Sequence, residues 1–458
     1  MSNNTELMGE TDNTQVVTPW KVESQSGIDY MKLIRHFGCD PIDGKLIKRF
    51  EQVTNTRAHL WLRRGLFFSN KDLELCLSDL EQGKQIYLYT GRGPSSEAMH
   101  LGHMIPFMFT KYLQDALDAI LIIQMSDDEK FAFKGHIDKH NLEHYINLTF
   151  ENSKDIIACG FNPNKTFIFS NANNMNPDLY KTIVKIDSTV TGNSIRSIYG
   201  INLDNKIGEI AWPSKQCAPA FSCAFPDILT PDAEYIIMPD GTKHYVNLVP
   251  IRVLVPMAID QKPYFSMARD AAEKLNLFKP AEIHSEFLPS LNGISSKMSS
   301  TGGIKPIFLT DNEIDIKNKI MASFSGGKDT KQLQMKYGAN LHVDVAYQYL
   351  LYFCDDEERM KNIAHDYRSG KMLTGEIKKI LIEIITKFVK EHQMRKDMLS
   401  TDTIKLFFNK DRRFDTSKSV KEPIELYTDE EYSKMGINFD RTYGATRPDG
   451  AEDYENIN

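Results

Sequence analysis

The chain has 458 residues, of which 41% are hydrophobic and 26% charged, and its formal net charge is −7. These values are ordinary for a soluble globular protein of about two or three domains, and they argue against a generally basic nucleic-acid coat. No apolar run approaches the roughly 20 residues of a membrane span, and the polar start lacks the core of a signal peptide. The six cysteines form no CxxC pair, so we expect no zinc site and free thiols in the cytoplasm.

The first part of the chain has a polar start followed by mainly helical patterns. Residues 1–15 are polar, and we expect them to be disordered. A short β-prone piece at 16–22 contains Thr18-Pro19-Trp20, and apolar residues fall at helical spacing over much of 30–68. A capping signal at 70–72 then begins a predicted amphipathic helix.

From residue 85 the apolar pattern becomes that of buried strands alternating with helices. The strand candidates are continuous apolar runs at 85–90, 119–125 and 166–169, with further runs at 233–238 and 251–257. Helical patterns lie between or after them at 101–117, 146–159 and 265–275. This alternation predicts an α/β fold whose parallel sheet is covered on both faces.

The last third of the chain changes character again. Helical patterns with short connectors at 314–322, 343–354, 357–369 and 375–396 predict an all-helical region over about 305–400. The remainder is polar, with an acidic stretch at 428–432, and we expect a weakly ordered tail.

The turn after the first predicted strand of the sheet is a candidate phosphate site. Gly91 and Gly93 permit a tight turn and a close approach of the backbone to a ligand. The following helix offers unpaired N–H groups and the positive end of its dipole, which favour phosphate. His100 and His103 are three residues apart and share one face of that helix. The alternative is an ordinary strand-to-helix turn with capping histidines.

A second candidate lies more than 190 residues later, in a Ser/Gly-rich loop. Lys297 precedes Met298 and three hydroxyl residues, and its cation can reach the charge that grows on a transferring phosphate. A solvated surface loop is the alternative for such a segment alone. Together, in this order, the two segments indicate an enzyme that uses ATP to activate a carboxylate.

The pair resembles the HIGH and KMSKS signatures of the class I aminoacyl-tRNA synthetases. The longer strings at 88–100, 124–130, 258–261 and 324–327 are similar to those of the eukaryotic-type cytoplasmic tryptophanyl branch of that family. The resemblance covers roughly Thr18 to Asp415. The loop departs from KMSKS because Ser300 replaces its second lysine, as is common in this branch.

The resemblance implies a Rossmann-like parallel-sheet catalytic domain, an all-helical anticodon-binding domain and an N-terminal extension. The implied division of the chain is a disordered start (1–15), the extension (16–82), the catalytic domain (83–304), the anticodon-binding domain (305–400), a segment returning to the catalytic domain (401–415) and a tail (416–458). It also implies a cytoplasmic homodimer with no membrane contact. The extension's hairpin around Thr18-Pro19-Trp20 is a candidate cover for the active site, and the sequence leaves open whether it has that role.

The implied activity is that of a tryptophan–tRNA ligase. L-Tryptophan and Mg-ATP give tryptophanyl-adenylate and pyrophosphate, and tryptophan is then transferred to the 3′ end of tRNA(Trp). The expected catalytic residues are Lys297, His100 and His103, and the expected ATP contacts are Arg92, Gly93, His100, Gly102, His103, Lys297, Met298 and Ser299. The expected tryptophan contacts are Tyr89, Gln124, Glu129, Lys130, Gln216, Gln261 and Phe265. Lys328 and Asp329 are expected to touch anticodon bases, Mg²⁺ arrives with ATP, and no protein metal site is expected.

Three other interpretations remain open at this stage. The tyrosyl enzyme shares the fold, and composition and periodicity do not separate the two. A non-catalytic relative could serve as an RNA-binding module, although intact His100, His103 and Lys297 argue against it. Residues 325–330 resemble the phosphate loop of ATP pyrophosphatases, but they follow a helical pattern where that loop needs a strand.

Overall fold

The computed structural model describes residues 15–17, 22–24, 28–135, 140–298 and 303–438, and the structural statements concern those residues. Their strands are β1 (Gln15–Val17), β2 (Val22–Ser24), β3 (Asp40–Pro41), β4 (Phe67–Lys71), β5 (Ile86–Arg92), β6 (Ile120–Met125), β7 (Thr166–Ser170), β8 (Tyr235–Ile237), β9 (Lys243–Tyr245), β10 (Arg252–Ala258), β11 (Ala281–Ser285), β12 (Pro289–Ser290) and β13 (Gly293–Lys297).

The helices of the first three hundred residues surround these strands. They are α1 (Tyr30–Phe37), α2 (Gly44–Thr54), α3 (Leu60–Arg63), α4 (Leu73–Glu81), α5 (Leu101–Leu117), α6 (Asp127–Lys134), α7 (Leu142–Ile157), α8 (Asn171–Asn174), α9 (Pro177–Asp187), α10 (Gly192–Tyr199), α11 (Ile207–Cys217), α12 (Pro226–Leu229) and α13 (Lys262–Lys274). The later helices are α14 (Glu313–Ala322), α15 (Lys331–Tyr337), α16 (Val345–Phe353), α17 (Glu357–Arg368), α18 (Thr374–Asp397), α19 (Thr401–Phe408) and α20 (Asp429–Ser433).

The central sheet has seven strands in the order β3-β4-β11-β10-β5-β6-β7. The five strands from β11 to β7 are parallel, and β3 and β4 add an antiparallel edge. Side chains alternate between two cores, since Leu88 of β5 packs in one and Tyr87 and Tyr89 pack in the other. The predicted α/β fold with a Rossmann-like parallel sheet is therefore confirmed.

Two parts of the sheet differ from the sequence prediction. Residues 67–71 form β4, although the apolar spacing up to Phe68 suggested helix. The run at 233–238 stays outside the central sheet, because β8 and β9 form a separate antiparallel hairpin. The three residues of β8 are exposed, and Gly241, with φ of +83°, lies in the connection between the strands.

The predicted helical region is confirmed: α14 to α18 occupy it, and no strand occurs between residues 310 and 400. Its core is continuous with one face of the central sheet. Arg64, at the end of α3, helps to join the N-terminal part to it. The buried guanidinium of Arg64 donates at 2.8 Å to the carbonyls of Leu351 and Cys354 and lies 3.0 Å from a carboxylate oxygen of Glu357.

The N-terminal hairpin pairs with the strand that carries Lys297. A small sheet has the order β1-β2-β13-β12, and Ser296 of β13 is in register with Glu23 of β2. The turn at 18–21, including Thr18-Pro19-Trp20, lies outside the described residues. The backbone of this extension is thus hydrogen-bonded to the strand that ends at the predicted catalytic lysine.

Residues 409–438 follow the surface of the α/β region, although the sequence analysis expected a weakly ordered tail. The Lys165 ammonium donates at 2.6 Å to the carbonyl of Ser417. Farther along, the buried Tyr432 donates at 2.6 Å to Glu51 of α2. Many of these bonds involve backbone groups, which no sequence pattern reveals. The domain boundaries remain predictions.

No described helix combines the length and apolar character that crossing a membrane requires. All six cysteines are unpaired, as expected for free thiols.

Candidate active site

A cavity of about 630 Å³ opens at the carboxyl ends of β5, β6 and β10. Ligands of open α/β sheets commonly bind at this edge, where loops leave the strands. The cavity brings together eleven of the predicted site residues, namely Tyr89, Arg92, Gly93, His103, Gln124, Glu129, Lys130, Gln216, Gln261, Phe265 and Lys297.

The turn after β5 places backbone and a cation against this cavity. A Cβ atom on Gly93 would lie 2.2 Å from Cε of Lys130, so a larger residue would displace that side chain. Arg92 is held by Asn152, whose side-chain oxygen lies 3.4 Å from its Nε, while its Nη2 is buried without a partner. Burial lowers the pKa of Arg92 to about 10, which leaves the guanidinium charged at neutral pH.

The two histidines form a stacked pair at the start of α5. Their ring centroids are 3.5 Å apart, and the His100 backbone N–H donates to Nδ1 of His103 at 3.4 Å. Burial and the charge of Arg92 lower the pKa of His100 to about 3 and that of His103 well below its ordinary value. Because Nδ1 of the neutral His103 accepts, its Nε2 carries the proton and can donate. His100 is buried and does not line the cavity.

The predicted catalytic lysine ends β13 at the mouth of the cavity. Its Nζ lies 2.5 Å from Oδ2 of the buried Asp260. The next residue, Met298, is buried, and its sulfur accepts a hydrogen bond from Gly102 of α5 at 3.4 Å. Gly102 and Met298 therefore connect the two motifs without lining the cavity, and Ser299 lies outside the described residues.

The inner part of the cavity carries a buried polar network. The Tyr89 hydroxyl lies 2.7 Å from Oε1 of Gln124 and 2.9 Å from the carbonyl of Gln216. The amide nitrogen of Gln124 donates at 3.0 Å to Asn171, which fixes its orientation. Burial raises the pKa of Tyr89, so its hydroxyl stays protonated and can donate or accept. The Phe265 ring lies 6.1 Å from that of Tyr89.

An acidic group lies between this network and the turn after β5. Glu129 accepts a hydrogen bond from Ser126 at 3.0 Å and is paired with Lys130 at 2.7 Å. Gln261 lies just before α13, on the opposite wall. Together they supply a carboxylate and an amide to a ligand that carries an ammonium group.

Further residues line the cavity although the sequence analysis assigned them no role. They include Lys134, Trp212, Asp260 and Tyr264. Asp260 stands beside Gln261 in one of the family strings, at the end of a predicted strand. That position was the sequence feature that could have pointed to Asp260. Its contact with Lys297 could not, because the two residues are 37 positions apart in the chain.

The predicted anticodon residues lie elsewhere, in the exposed connection between α14 and α15. The turn that carries them is tightly held, since Asp344 accepts the Gly326 backbone N–H at 2.9 Å. A Cβ on Gly326 would lie 2.1 Å from the Asn340 carbonyl oxygen. The segment follows a helix rather than a strand, which argues against the ATP pyrophosphatase interpretation. Within the described ranges, no group of three or more His, Cys, Asp and Glu could hold a metal ion.

Buried neutral histidines predict a loss of stability in mild acid. Burial, with Arg63 and Arg64 for His59 and Arg92 for His100, lowers the pKa of both imidazoles to about 3. Below pH 6.5 these histidines bind protons in the unfolded chain but not in the folded chain. The free energy of unfolding therefore decreases as the pH is lowered. At pH 5 each histidine is expected to reduce it by about 2 kcal/mol relative to pH 7.5.

Urea unfolding at the two pH values measures this effect. His59→Gln should remove about 2 kcal/mol of the pH-dependent loss, whereas His36→Gln, at an exposed position, should leave it unchanged. Equal pH dependence in all three proteins would contradict the prediction.

Comparison with known proteins agrees with this arrangement. The family described as "tRNA synthetases class I (W and Y)" matches residues 81–213 and 227–390. The chain is 46% identical over 408 residues to a Rattus norvegicus protein named "Tryptophan--tRNA ligase, cytoplasmic", covering 87% of this chain and 81% of the relative. The Homo sapiens protein of that name is 45% identical over 396 residues, covering 85% and 80%.

A solved structure gives the same result in three dimensions. The "Crystal Structure of Plasmodium falciparum Tryptophanyl-tRNA synthetase" matches with a TM-score of 0.74 and 45% identity, covering 84% of this chain and 95% of that chain. The family match and these relatives span most of the α/β region and the helical region. The chain therefore belongs to the class I aminoacyl-tRNA synthetases of the tryptophan and tyrosine type, enzymes that use ATP to activate an amino acid.

Proposed function

We propose that this enzyme is a cytoplasmic tryptophan–tRNA ligase. The observation that carries the proposal is the Tyr89–Gln124 network at the inner end of the cavity. An indole has one N–H donor, and the oxygens of these two side chains are the acceptors available to it there. The names of the similar proteins support the same substrate and compartment.

In the first step, a carboxylate oxygen of tryptophan attacks the α-phosphorus of ATP, and pyrophosphate leaves. No general base is needed, because the attacking carboxylate is already an anion. The protein's part is to position both substrates and to offset the charge on the phosphates. Arg92, Lys297 and the Nε2–H of His103 are among the donors that line the cavity and would serve this purpose. Glu129, Gln216 and Gln261 would hold the ammonium group of the amino acid.

Magnesium is expected to enter with ATP rather than through a protein site. Mg²⁺ usually keeps several waters and binds through substrate phosphates with few protein ligands. Such an ion would offset part of the charge on the phosphates. In the second step, the terminal hydroxyl of tRNA(Trp) takes the aminoacyl group from the adenylate.

The nearest alternative is a tyrosyl enzyme, which ATP–pyrophosphate exchange distinguishes directly. Exchange should depend on tryptophan and stay at background with tyrosine or phenylalanine. A cavity built to bond a ligand N–H or O–H rejects the analogue without that donor strongly, because buried acceptors are left unpaired. Exchange driven by tyrosine and not by tryptophan would overturn the proposal.

A non-catalytic RNA-binding relative is a weaker alternative. Arg92, His103 and Lys297 converge on one cavity from three separate segments, as phosphate chemistry requires. Absence of exchange with every amino acid would favour this alternative.

Lys328 and Asp329 are proposed to contact unstacked anticodon bases, which hydrogen-bonding side chains commonly read. Asp329→Ala should therefore raise the KM for tRNA(Trp) in charging by about tenfold or more, corresponding to one lost base contact. The exchange rate should not change, because residue 329 lies outside the cavity. The two assays need the same enzyme preparations, and Glu383→Ala, at an exposed position on α18, provides a control. An equal fall in exchange and charging would contradict the assignment.

We also propose that the enzyme is a homodimer. The β8–β9 hairpin presents apolar side chains to solvent, with Ile236 52% and Ile237 63% exposed. Contiguous exposed apolar surface on a folded protein commonly marks an interaction site. Sedimentation should give twice the chain mass of 52.4 kDa, and a monomer at micromolar concentration would exclude this part of the proposal.

A further inference from the structure

The charges that line the active-site cavity do not balance. Six charged side chains border it, namely Arg92, Glu129, Lys130, Lys134, Asp260 and Lys297. Two ion pairs account for four of them, since Lys130 is 2.7 Å from Glu129 and Lys297 is 2.5 Å from Asp260. Arg92 and Lys134 remain, and neither has an ion-pair partner of its own among the carboxylates that line the cavity.

Lys134 is the less expected of the two. It is the last residue of α6, four positions after Lys130, and residues at this spacing lie on the same face of a helix. No hydrogen bond or ion pair joins its Nζ to any group in the described part of the chain. Three of the positive charges therefore approach the cavity from one side, from α6 and the end of β5.

The electrostatic environment of this amine agrees with its geometry. Burial is the main cause that lowers the pKa of Lys134, and the nearby charges of Lys130 and Arg92 add to the effect, with Glu129 opposing it. Cations held close together destabilise one another until an anion binds between them. Perturbed cations in a cleft are for this reason candidates for functional groups.

We propose that Lys134 is a catalytic residue that contacts the β- and γ-phosphates of ATP and stabilises pyrophosphate as it leaves. The inference rests on the proposed function, because it requires attack at the α-phosphorus. A tryptophan carboxylate oxygen bonds to that phosphorus, and the bond from phosphorus to the bridging oxygen breaks. The bridging oxygen keeps the electron pair and departs with pyrophosphate. Lys134 transfers no proton; its positive charge offsets the negative charge that develops on the leaving group.

The triphosphate is a better ligand for Lys134 than the amino acid. The ammonium group of Lys134 would repel that of tryptophan, whereas its charge and that of Arg92 attract phosphate oxygens. Tyr89 and Gln124, which would bind the indole, lie at the inner end of the cavity. The end of α6 is instead on the side of the turn after β5, where the phosphates are expected.

Lys134→Ala tests the assignment in the full-length enzyme. We expect kcat for tryptophan-dependent ATP–pyrophosphate exchange to fall by about 100-fold, the effect of removing one group that stabilises developing negative charge. The affinity for pyrophosphate should weaken, while the Kd for tryptophan and the melting temperature should not change. Lys134→Arg, which keeps the charge, should restore most of the rate. Lys181→Ala, an exposed lysine of α9, is the matched control.

The outcomes separate the catalytic role from a structural one. Unchanged exchange in Lys134→Ala would overturn the inference. A lower exchange rate would also overturn it if the melting temperature and tryptophan binding fell as well and Lys134→Arg did not correct them. Wild-type enzyme that shows no exchange with tryptophan would instead contradict the proposed function.

Discussion

Replacing Lys297 by alanine is expected to lower the rate of adenylate formation by about two to three orders of magnitude while leaving tRNA binding unchanged. Lys297 ends β13 at the cavity and supplies the cation of the second motif. In the structure its Nζ is paired with Asp260 rather than left in solvent. ATP phosphates would compete with that carboxylate for the ammonium, and alanine removes the interaction from the transition state. ATP–pyrophosphate exchange and filter binding of tRNA measure the two properties.

Two variants make this test specific. Lys305→Ala removes an exposed lysine a few residues after the same loop and should not change exchange. Asp260→Asn releases Lys297 from its ion pair but keeps a polar group, so we expect a smaller effect than that of the lysine variant. If Lys297→Ala exchanged pyrophosphate at the wild-type rate, the role given to this residue would be wrong.

The fold could be predicted where burial is continuous along the chain. β5, β6 and β10 are buried on both faces, so their apolar runs are visible without alternation. The strand β4 was not visible, because its sequence Phe-Phe-Ser-Asn-Lys has no strand-like alternation and its partner β11 lies more than 200 residues away. The apolar run that contains β8 led to the opposite error, because it suggested a buried strand but its residues are exposed. An apolar run is therefore not by itself evidence of burial.

The sequence predicted the motifs of the candidate site but not which of its side chains pair with one another. The family resemblance identified eleven residues that the fold does bring to one cavity. Which cation meets which carboxylate depends on the packing of distant elements, so neither the Lys297–Asp260 pair nor the unpaired Lys134 could be read from the sequence. Likewise, His100 and His103 share a helix face as expected, but their stacking leaves only His103 at the cavity.

A second large effect is expected from a buried ion pair behind the site. Glu282 of β11 is fully buried and lies 3.1 Å from Nζ of Lys262 and 3.0 Å from Nε2 of His284. Burial alone would raise the pKa of Glu282, but the hydrogen bond from His284 and the charge of Lys262 outweigh it and lower the pKa. Lys262 begins α13, directly after Gln261, so this carboxylate also anchors one wall of the cavity.

Glu282→Gln should lower the free energy of unfolding by about 3–5 kcal/mol, because it leaves the Lys262 ammonium buried without a counter-charge. Urea unfolding at pH 7.5 measures the loss, and Glu273→Gln, at an exposed pair with Lys279, should leave the free energy of unfolding nearly unchanged. Adding Lys262→Met to Glu282→Gln should recover most of the stability, since no unpaired charge then remains. A double variant no more stable than Glu282→Gln alone would show that the buried ammonium is not the cause.

Because the folded-state pKa of Glu282 is depressed, its contribution is present above about pH 4.5 and is lost as the pH falls below that value. The wild type should therefore lose its advantage over Glu282→Gln only in strong acid, well below the range in which the histidines act.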